Sequence, residues 1–284
     1  MAEKESLCKE VERLMNQYNP ISLFGVYSKI TIKSWFQYKL NACIQSLTVF
    51  LREASNVLII YFTLTKFSNI NGWNRNELFF LYSLLYITYA ILIIFCTGLR
   101  DFDQLIINGT FDRFLLRPRG LLFQVVASNT DWFAALGHGG LGVVLFFVSA
   151  NKVGIVWDGK TILYYCIAVI SGTLIQVSLF LFFATMSFYI VKSQNLREVF
   201  YWNVRKFAGY PISIFNRVIQ FFLMAIVPFA FVNYFPAQYF LRNRDMQNFP
   251  SVFLYLSPLI AAIMVVICYF FWKFSIKRYA SSGN

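Results

Sequence analysis

Three side chains in the apolar parts of this sequence have the chemistry to bind ions or to move protons. Arg52 and Glu53 are adjacent within a long apolar run, and His138, the only histidine, lies in the glycine-rich stretch ALGHGGLG. An ionisable group inside a membrane costs at least about 2.5 to 3.5 kcal/mol on insertion scales, so such groups are candidates for function. Because adjacent residues of a helix point about 100° apart, Arg52 and Glu53 are predicted to find partners on other helices or in a water-filled cavity, and not in each other.

Each of these residues also has a purely structural interpretation. Arg52 can snorkel to the headgroups or pair with another helix, or it can line a cargo path together with Glu53, Phe221 and Pro228. The glycines around His138 favour close helix packing, in which the imidazole bonds to a neighbour. A proton relay through His138 would need a second histidine or a nearby carboxylate, and the surrounding sequence offers neither.

One segment imitates a nucleotide-binding loop. Residues 154–161 (GIVWDGKT) satisfy the pattern G-x-x-x-x-G-K-[ST], in which backbone amides and a lysine hold phosphates. We predict that this segment binds no nucleotide, because no strand precedes it, an apolar span follows it, and Asp158 would place a negative charge in the cradle. The sequence also contains no catalytic motif and no cysteine and histidine cluster, so it predicts neither an enzyme nor a metal site.

The elements that carry these residues are apolar spans. Hydrophobic residues make up 58% of the chain and charged residues 13%, whereas soluble domains have about 45 to 50% and about 25%. A span needs about 20 mostly apolar residues. Six segments meet or approach this length, namely 42–66, 77–99, 132–150, 161–191, 218–236 and 251–274. The sequence therefore predicts an all-α polytopic membrane protein with six transmembrane helices, the fifth kinked at Pro228.

The distribution of charged residues predicts the orientation of the chain in the membrane and the segments that flank the membrane domain. The net charge of +12 comes from Lys and Arg scattered between the spans, a distribution that argues against nucleic-acid binding. With the N-terminus inside, the cytoplasmic connections hold eighteen of these cations and the other side holds six, as the positive-inside rule requires. We predict a cytoplasmic tail at 1–20, an amphipathic interfacial helix at 21–41, the membrane domain at 42–274 and a cytoplasmic tail at 275–284.

The connection between the second and third predicted spans, about residues 101–118, is too apolar to be a passive linker. Residues 101–108 are predicted to form a short helix that Gly109 ends, and Asp112 is predicted to cap a further turn that stops before Pro118. The apolar side chains that this segment would present to a partner or to the bilayer are Phe102, Leu105, Ile106 and Phe111. An interfacial helix without a partner is the alternative.

The order of several motifs resembles one branch of the six-helix permeases of ABC exporters, the type 2 family. The matching segments are GTFDRFLLRP (109–118) after the second span, Tyr210 and Pro211 before the fifth, Pro228 and Pro236 within and after it, and WKFSIKRYASSG (272–283) at the end. The resemblance extends from about residue 21 to the end of the chain and includes the number and order of the spans.

This resemblance implies a permease subunit that works with a second permease subunit, identical or homologous, and with ATP-binding cassette ATPase subunits. ATP and Mg would bind to the ATPases, and this chain would hold no cofactor. The segment 101–118 would be a cytoplasmic coupling helix seated in an ATPase. The residues expected to make that contact are Asp101, Phe102, Gln104, Leu105, Gly109, Phe111, Asp112, Arg113 and Pro118.

Two functions of different classes follow. The first is an ATP-driven exporter in a bacterial inner membrane that moves an amphipathic or hydrophobic molecule, such as a drug, a lipid-like molecule or a peptide, out of the cell. Aromatic-rich spans suit such a cargo, and they suit contact with membrane lipids equally well. The alternative is a self-sufficient secondary transporter or channel in which Arg52, Glu53 and His138 couple ions. That alternative predicts an internal inverted symmetry, which the sequence does not show.

Overall fold

A computed structural model describes residues 24–25, 28–29, 31–32, 39–67, 69–117, 119–190, 192–241, 246 and 249–279. These residues form helices and turns, with a single bridge between Ile70 and Trp73 and no strand among them. The tail at 1–20, most of the interfacial helix at 21–41 and the last residues, 280–284, lie outside the described residues. The predictions for these segments stay predictions.

From Lys39 onward the elements follow in the order α1 (Lys39–Lys66), α2 (Arg75–Arg100), α3 (Phe102–Ile107), α4 (Asp112–Leu115), α5 (Leu121–Ala127), α6 (Trp132–Val153), α7 (Gly159–Met186), α8 (Ser193–Arg197), a π-helical turn (Glu198–Asn203), α9 (Val204–Ala208), a 3₁₀ turn (Ile212–Ile214), α10 (Arg217–Phe221), a second π-helical turn (Phe222–Ile226), a 3₁₀ turn (Phe229–Phe231), α11 (Tyr234–Phe240), a 3₁₀ turn (Ser251–Tyr255) and α12 (Ser257–Ile276). In the described part of the chain, five helices, α1, α2, α6, α7 and α12, are long and apolar enough to cross a membrane, and a bent pair at 217–240 passes the same test if it is taken as one span. The prediction of an all-α polytopic membrane protein is confirmed.

Side-chain caps fix the starts of three of the long helices. At α2, the Asn74 side chain accepts a hydrogen bond from the Glu77 amide at 3.1 Å, and the Glu77 carboxylate accepts one from the Asn74 amide at 2.8 Å. Asp131 and Asp158 each accept a hydrogen bond from an amide in the first turn of α6 and α7. These bonds satisfy amides that the helix itself leaves without acceptors.

The centre of the bundle is α2, which packs along α6 and α7, while α1 packs on α6 and α12 packs on α7. Two glycines of α6 permit this close packing. A methyl group at Gly137 would lie 2.7 Å from the carbonyl oxygen of Ser46 on α1, and one at Gly142 would lie 2.9 Å from a side-chain carbon of Ile87 on α2. The packing role predicted for the glycines around His138 is therefore confirmed.

The two ends of the bundle are distinguished by the segments that they hold. The basal end holds residues 101–117, after α2, together with Tyr279, after α12; the rings of Phe111 and Tyr279 have centroids 5.0 Å apart. The opposite end holds the turn 69–74, which joins α1 to α2. Since α2 runs from that turn to the basal end, α1 begins at the basal end.

The fifth crossing of the bundle is made by α8, the π-helical turn after it and α9. At its start, Arg197 donates a hydrogen bond to the carbonyl oxygen of Arg100 at the basal end. Beyond its end, the side-chain amide of Asn71 in the turn at the opposite end donates to the Ser213 hydroxyl at 3.4 Å. The sequence-based prediction placed this stretch in a cytoplasmic connection and was wrong, because its charged residues lower the hydropathy that identifies a span.

The segment predicted as the fifth span is a bent hairpin. Its arms, 217–226 and 229–240, are bent by 72° relative to each other, and Pro228 at the bend has no amide with which to continue a helix. The bend lies at mid-depth, where the ring of Phe229 is 5.3 Å from that of Tyr201 in the fifth crossing.

The second arm of the hairpin returns to the opposite end. The ring of Tyr234 lies 5.8 Å from that of Trp73, in the turn between α1 and α2, and the ring of Phe240 lies 5.9 Å from that of Trp157, in the turn between α6 and α7. Both arms therefore reach the same end, and the hairpin enters the bundle without crossing it. The kinked crossing predicted for 218–236 is corrected in this way.

The last crossing, α12, leads back to the basal end. Near its start the Tyr164 hydroxyl donates a hydrogen bond to the carbonyl oxygen of Leu254 at the opposite end. Near its finish the ring of Trp272 lies 5.1 Å from that of Phe102 at the basal end. The contacts thus give six crossings, with the start of α1 and the end of α12 at the same end of the bundle.

The reassigned fifth crossing changes the charge count. Arg205 and Lys206 lie within a crossing, and Arg217 follows Ser213 near the opposite end, so these three leave the eighteen cytoplasmic cations. The excess over the six cations of the other side persists. The assignment of the basal end to the cytoplasm stays a prediction from this excess.

Candidate functional site

The three ionisable residues that stand out in the sequence meet inside the bundle. The Arg52 Nη2 atom lies 3.1 Å from Glu53 Oε1, and the same oxygen lies 3.8 Å from His138 Nδ1. The prediction that Arg52 and Glu53 do not pair is wrong. Glu53 points into the bundle and is buried, whereas the long Arg52 side chain is largely exposed and bends back over it.

A carboxylate therefore does lie beside His138, which corrects the expectation from the local sequence. Glu53 comes from α1 and is 85 positions away in the chain, so inspection of the residues around His138 could not find it. The imidazole is buried and lies between two rings of α2, edge-to-face on Tyr89 at 4.8 Å and stacked on Tyr86 at 6.3 Å. Its Nδ1 atom has no hydrogen-bond partner among the described residues.

Arg205, on α9, faces this cluster from the fifth crossing. Its Cζ atom lies 4.4 Å from the centroid of the Tyr89 ring, 5.2 Å from that of Tyr86 and 5.6 Å from that of Trp202. Aromatic faces attract cations electrostatically, so this cage of rings holds a guanidinium at membrane depth. The sequence analysis assigned Arg205 to a cytoplasmic connection, and no sequence pattern indicated that aromatic rings would surround it.

These groups line one open cavity of about 850 Å³ between α1, α2, α6 and the fifth crossing. Its lining combines tyrosine and tryptophan rings with both signs of charge. The lining residues are Gln45, Val49, Arg52, Glu53, Asn56, Ile59, Tyr82, Leu85, Tyr86, Tyr89, Arg100, Asp131, Ala134, His138, Glu198, Trp202, Arg205, Lys206 and Tyr210. Three of the charged residues that lower the hydropathy of the fifth crossing, Glu198, Arg205 and Lys206, face this cavity, and the fourth, Arg197, pairs with Asp103 of the basal segment.

The basal part of the cavity wall is held by ion pairs that stabilise the fold. Asp131 caps α6 and accepts hydrogen bonds from the Gln45 side chain at 3.1 and 3.2 Å. Arg100 Nε lies 2.7 Å from Asp101 Oδ1, and Arg100 Nη2 lies 3.9 Å from Asp131 Oδ2. Asp101, predicted to contact an ATPase, is thus engaged with the end of α2.

Phe221 and Pro228, the other candidates for a cargo path, do not line this cavity. Phe221 is exposed on the outer side of the hairpin, and Pro228 is buried at its bend. The Phe221 ring is therefore directed away from the cavity, and Pro228 shapes the hairpin.

The basal segment 101–117 has the two short helices that the sequence predicts, but its apolar face points toward the bundle and not outward. The first helix ends at Ile107, Gly109 adopts a positive φ of 64°, and a second turn begins at Asp112. Phe102 and Phe111, predicted to face a partner, are fully buried instead. The sequence pattern predicts that this segment has an apolar face, but it does not show which residues pack against that face. In the structure, residues near the ends of α7 and α12 bury it.

A cluster of five rings fills the space under this segment, and we call it the basal aromatic cluster. Phe102 contacts Phe111 at 5.1 Å, Phe188 at 5.4 Å and Trp272 at 5.1 Å, and Phe111 contacts Tyr279 at 5.0 Å. These T-shaped contacts add to the stabilisation by burial. The segment is therefore locked to the bundle as one body.

Asp112, predicted to cap this turn, is its first residue, and its carboxylate accepts a hydrogen bond from the Tyr279 hydroxyl at 2.9 Å. Burial, together with the Asp112 carboxylate, raises the pKa of Tyr279 to about 12. This bond ties the segment to the chain just beyond α12.

The outer face of the basal segment carries exposed side chains of both kinds. Gln104, Arg113 and Arg117 are exposed and polar, while Leu115 and Leu116 are exposed and apolar, Leu116 to 86%. Leu105 is half-buried against the core. Pro118 lies outside the described residues, so its predicted role stays a prediction.

One ion pair that the sequence did not predict links the segment to the fifth crossing. Asp103 is buried, and its Oδ1 atom lies 3.7 Å from Arg197 Nη2. Arg197 also donates to the carbonyl oxygen of Arg100, whose side chain lines the cavity. Arg197 therefore connects the basal segment to the residue whose side chain lines the basal part of the cavity.

The segment 154–161, which matches the pattern of a phosphate-binding loop, forms the turn between α6 and α7. Gly154 ends α6 in the left-handed conformation with a φ of 75°, and α7 begins at Gly159. Asp158 accepts a hydrogen bond from the Thr161 amide at 2.8 Å, and its bonds to Thr161 lower the pKa of the Asp158 carboxyl. A phosphate would meet a carboxylate at the amide that it needs.

Comparison with protein families gives one match. The family model described as "ABC-2 family transporter protein" matches residues 50–283, which include all six crossings except the start of α1. No curated protein and no solved structure matches the chain.

Proposed function

The chain belongs to the ABC-2 transporter family, and from this premise we propose that it is the permease subunit of an ATP-driven exporter. Members of this family form the membrane component of an ABC transporter and are not its ATPase. The proposed substrate is amphipathic or hydrophobic, such as a drug, a lipid-like molecule or a peptide, and it moves out of the cell. The proposed location is a bacterial inner membrane, with the basal end in the cytoplasm.

The cavity carries this proposal. Its volume of about 850 Å³ is in the range of ligand sites in proteins, about 300 to 1,000 Å³. Rings from α2 and the fifth crossing suit an apolar body, while Arg52, Glu53 and Arg205 suit a polar head. Because the cavity is open in the single chain, we propose that a second permease subunit, identical or homologous, completes its wall.

The basal segment supports the coupling part of the proposal. Its exposed outer face would seat in an ATP-binding cassette ATPase, which holds ATP and Mg, while the basal aromatic cluster makes the segment rigid. The buried pair of Asp103 and Arg197 then passes motion to the cavity wall. Among the predicted contact residues, Gln104 and Arg113 would contact the ATPase. Phe102 and Phe111 would instead support the segment from within the basal aromatic cluster.

The contact of Glu53 with His138 favours a second candidate function. A buried carboxylate 3.8 Å from an imidazole is an arrangement that ion-coupled transporters use for protons. In that case the chain would transport its substrate without an ATPase. Membership of the ABC-2 family argues for the first function.

The experiment that separates these functions is purification from the native host in a mild detergent, followed by reconstitution in liposomes. We expect an ATPase subunit to copurify, and ATP to drive transport of a fluorescent amphipathic dye. Dye transport by this chain alone under an ion gradient would refute the proposal.

A matched pair of variants tests the basal segment as the docking surface. Leu116→Ser should weaken ATPase association, because this leucine is 86% exposed at the basal end, whereas Val156→Ser, at a valine 73% exposed in the turn between α6 and α7, should not. If both variants keep association and ATP-driven transport, the segment is not the docking surface.

A further inference from the structure

We propose that the cavity binds the anionic headgroup of an amphipathic substrate, a phosphate or a carboxylate, through Arg205. This inference rests on the proposed function and names the substrate class of its cavity. The anion would meet the guanidinium, and the apolar body would lie along the rings of α2 and the fifth crossing.

The first observation is that two nitrogens of the buried Arg205 side chain lack a hydrogen-bond acceptor among the described residues. The residue is only 6% exposed, and its Nε and Nη2 atoms have no hydrogen-bond partner among the described residues. These two nitrogens form one edge of the guanidinium, whose parallel N–H groups match the two oxygens of a carboxylate or phosphate. Both are shielded by neighbouring atoms, so an acceptor reaches them through a turn of the guanidinium within its cage.

The second observation is that the other cations of the cavity are engaged. Arg52 and Arg100 are each held by the carboxylate of the following residue, at 3.1 Å and 2.7 Å. Lys206 donates to a side-chain amide at 3.1 Å. Arg52 and Lys206 are exposed, so among the described residues that line the cavity Arg205 is the buried cation with donors, Nε and Nη2, that lack an acceptor.

The carboxylates of the cavity do not supply that acceptor. Glu53 is shared between Arg52 and His138, and Asp131 is occupied by the α6 cap. Glu198 is exposed, and no ion pair within 4.0 Å joins it to Arg205 in the described part of the chain. The aromatic cage stabilises the charge of Arg205 without neutralising it, and the cavity keeps a place for an anion.

The remainder of the lining selects an amphiphile over a small anion. Tyr82, Tyr86, Tyr89 and Trp202 surround the guanidinium with ring surface, and Ile59 extends the apolar wall. A free inorganic anion would use only the guanidinium. A molecule with an acyl or aryl body would also bury apolar surface against the rings.

The test uses the full chain in nanodiscs of phosphatidylcholine and follows tryptophan fluorescence, with Trp202→Phe identifying the signal of the cavity. The probes are dodecyl phosphate, dodecanoate, dodecyltrimethylammonium and inorganic phosphate. We expect the two anionic amphiphiles to bind most tightly. Arg205→Gln should weaken their binding roughly ten- to hundred-fold, the effect of losing hydrogen bonds to a charged group.

Two further variants complete the test. Arg217→Gln removes the same charge from an exposed arginine outside the cavity and should leave binding unchanged. Arg205→Lys keeps the charge but loses the paired donors, so we expect intermediate affinity. Should Arg205→Gln fail to fold, Arg205→Lys and the comparison of probe charges on the unaltered chain decide the matter.

Each of the other outcomes refutes a specific part of the proposal. Equal binding of the cationic and anionic amphiphiles, or unchanged binding by Arg205→Gln, refutes the anion site and leaves the proposed function standing. Inorganic phosphate that binds as tightly as dodecyl phosphate refutes the amphipathic substrate. No response of the Trp202 signal to any amphiphile refutes the cavity as a substrate site, and with it the proposed function.

Discussion

The cavity and the basal aromatic cluster are both lined by aromatic rings, but they differ in packing. The rings of the cavity surround charges beside open space, whereas the rings of the cluster are packed against one another. Around the cavity, tyrosine and tryptophan rings surround charges, and Arg205 and His138 keep atoms without hydrogen-bond partners among the described residues. In the basal aromatic cluster, rings pack on rings, and Phe102 and Phe111 are fully buried. Packed rings give a rigid body that can carry force, whereas unsatisfied polar atoms beside open space give a site that can accept a ligand.

The comparison is tested most strongly by removing the ring at the centre of the basal aromatic cluster. Phe102→Ala should lower the free energy of unfolding by about 3 to 5 kcal/mol, because the surrounding rings cannot close the void. Chemical denaturation in detergent, followed by circular dichroism, measures the loss. Leu116→Ala, at the exposed surface of the same segment, is the control and should change stability by less than about 0.5 kcal/mol. Equal effects would show that the cluster is not a packed body.

On the cavity side, the largest effect should come from the helix contact that supports the wall. Gly137→Val should destabilise by about 1 to 3 kcal/mol, since the new side chain would collide with α1. Gly140→Val is its matched control, because no other side chain or backbone of the described residues lies within 4 Å of the position of its new Cβ atom. The same denaturation assay compares the two variants. A Gly137→Val variant as stable as Gly140→Val would mean that α1 is loosely attached.

A smaller effect is expected inside the cavity itself. Glu53→Gln removes the buried negative charge that competes with an entering anion, and it should tighten dodecyl phosphate binding by roughly threefold to tenfold, equivalent to about 1 kcal/mol. Fluorescence titration in nanodiscs measures the change. Weaker binding would indicate that Glu53 positions the site through Arg52 or His138.

The smallest effect concerns the bond at the edge of the basal aromatic cluster. Tyr279→Phe removes the hydrogen bond to Asp112 and should cost about 1 kcal/mol or less, because the site is partly exposed.

The same bond has a dependence on pH. The pKa of Tyr279 is raised from its ordinary value near 10 to about 12, so the folded state holds the proton more tightly than the unfolded chain. Its contribution is complete below pH 10 and is lost as the pH rises toward about 12. Denaturation curves of the unaltered chain and of Tyr279→Phe should therefore converge over that range. Parallel curves would exclude the bond as a source of stability.

The apolar length of the sequence was enough to predict five of the six crossings and the membrane class of the fold. It failed at the fifth, because the charged residues of 193–208 face a cavity or, in the case of Arg197, pair with Asp103. The apolar hairpin at 217–240, by contrast, matches the composition of a span without crossing. Hydropathy records how apolar a segment is and not which way each side chain points.

The candidate site could be predicted only in part. Arg52, Glu53 and His138 stood out because each is ionisable within an apolar run. Arg205 did not, since its burial depends on rings of α2 more than a hundred positions earlier. The same holds for Phe102, whose cover of Phe188 and Trp272 comes from the ends of α7 and α12.

The hairpin at 217–240 has an electrical consequence. Its bend, from Val227 to Phe231, places buried apolar side chains at mid-depth beside the fifth crossing, where the ring of Phe229 lies 5.3 Å from that of Tyr201. A cell that stores energy as a voltage across its membrane would lose it through any continuous water path, and an ion is very unfavourable in an apolar constriction. We therefore expect the hairpin to act as an insulator that keeps the conductance low while the cavity stands open.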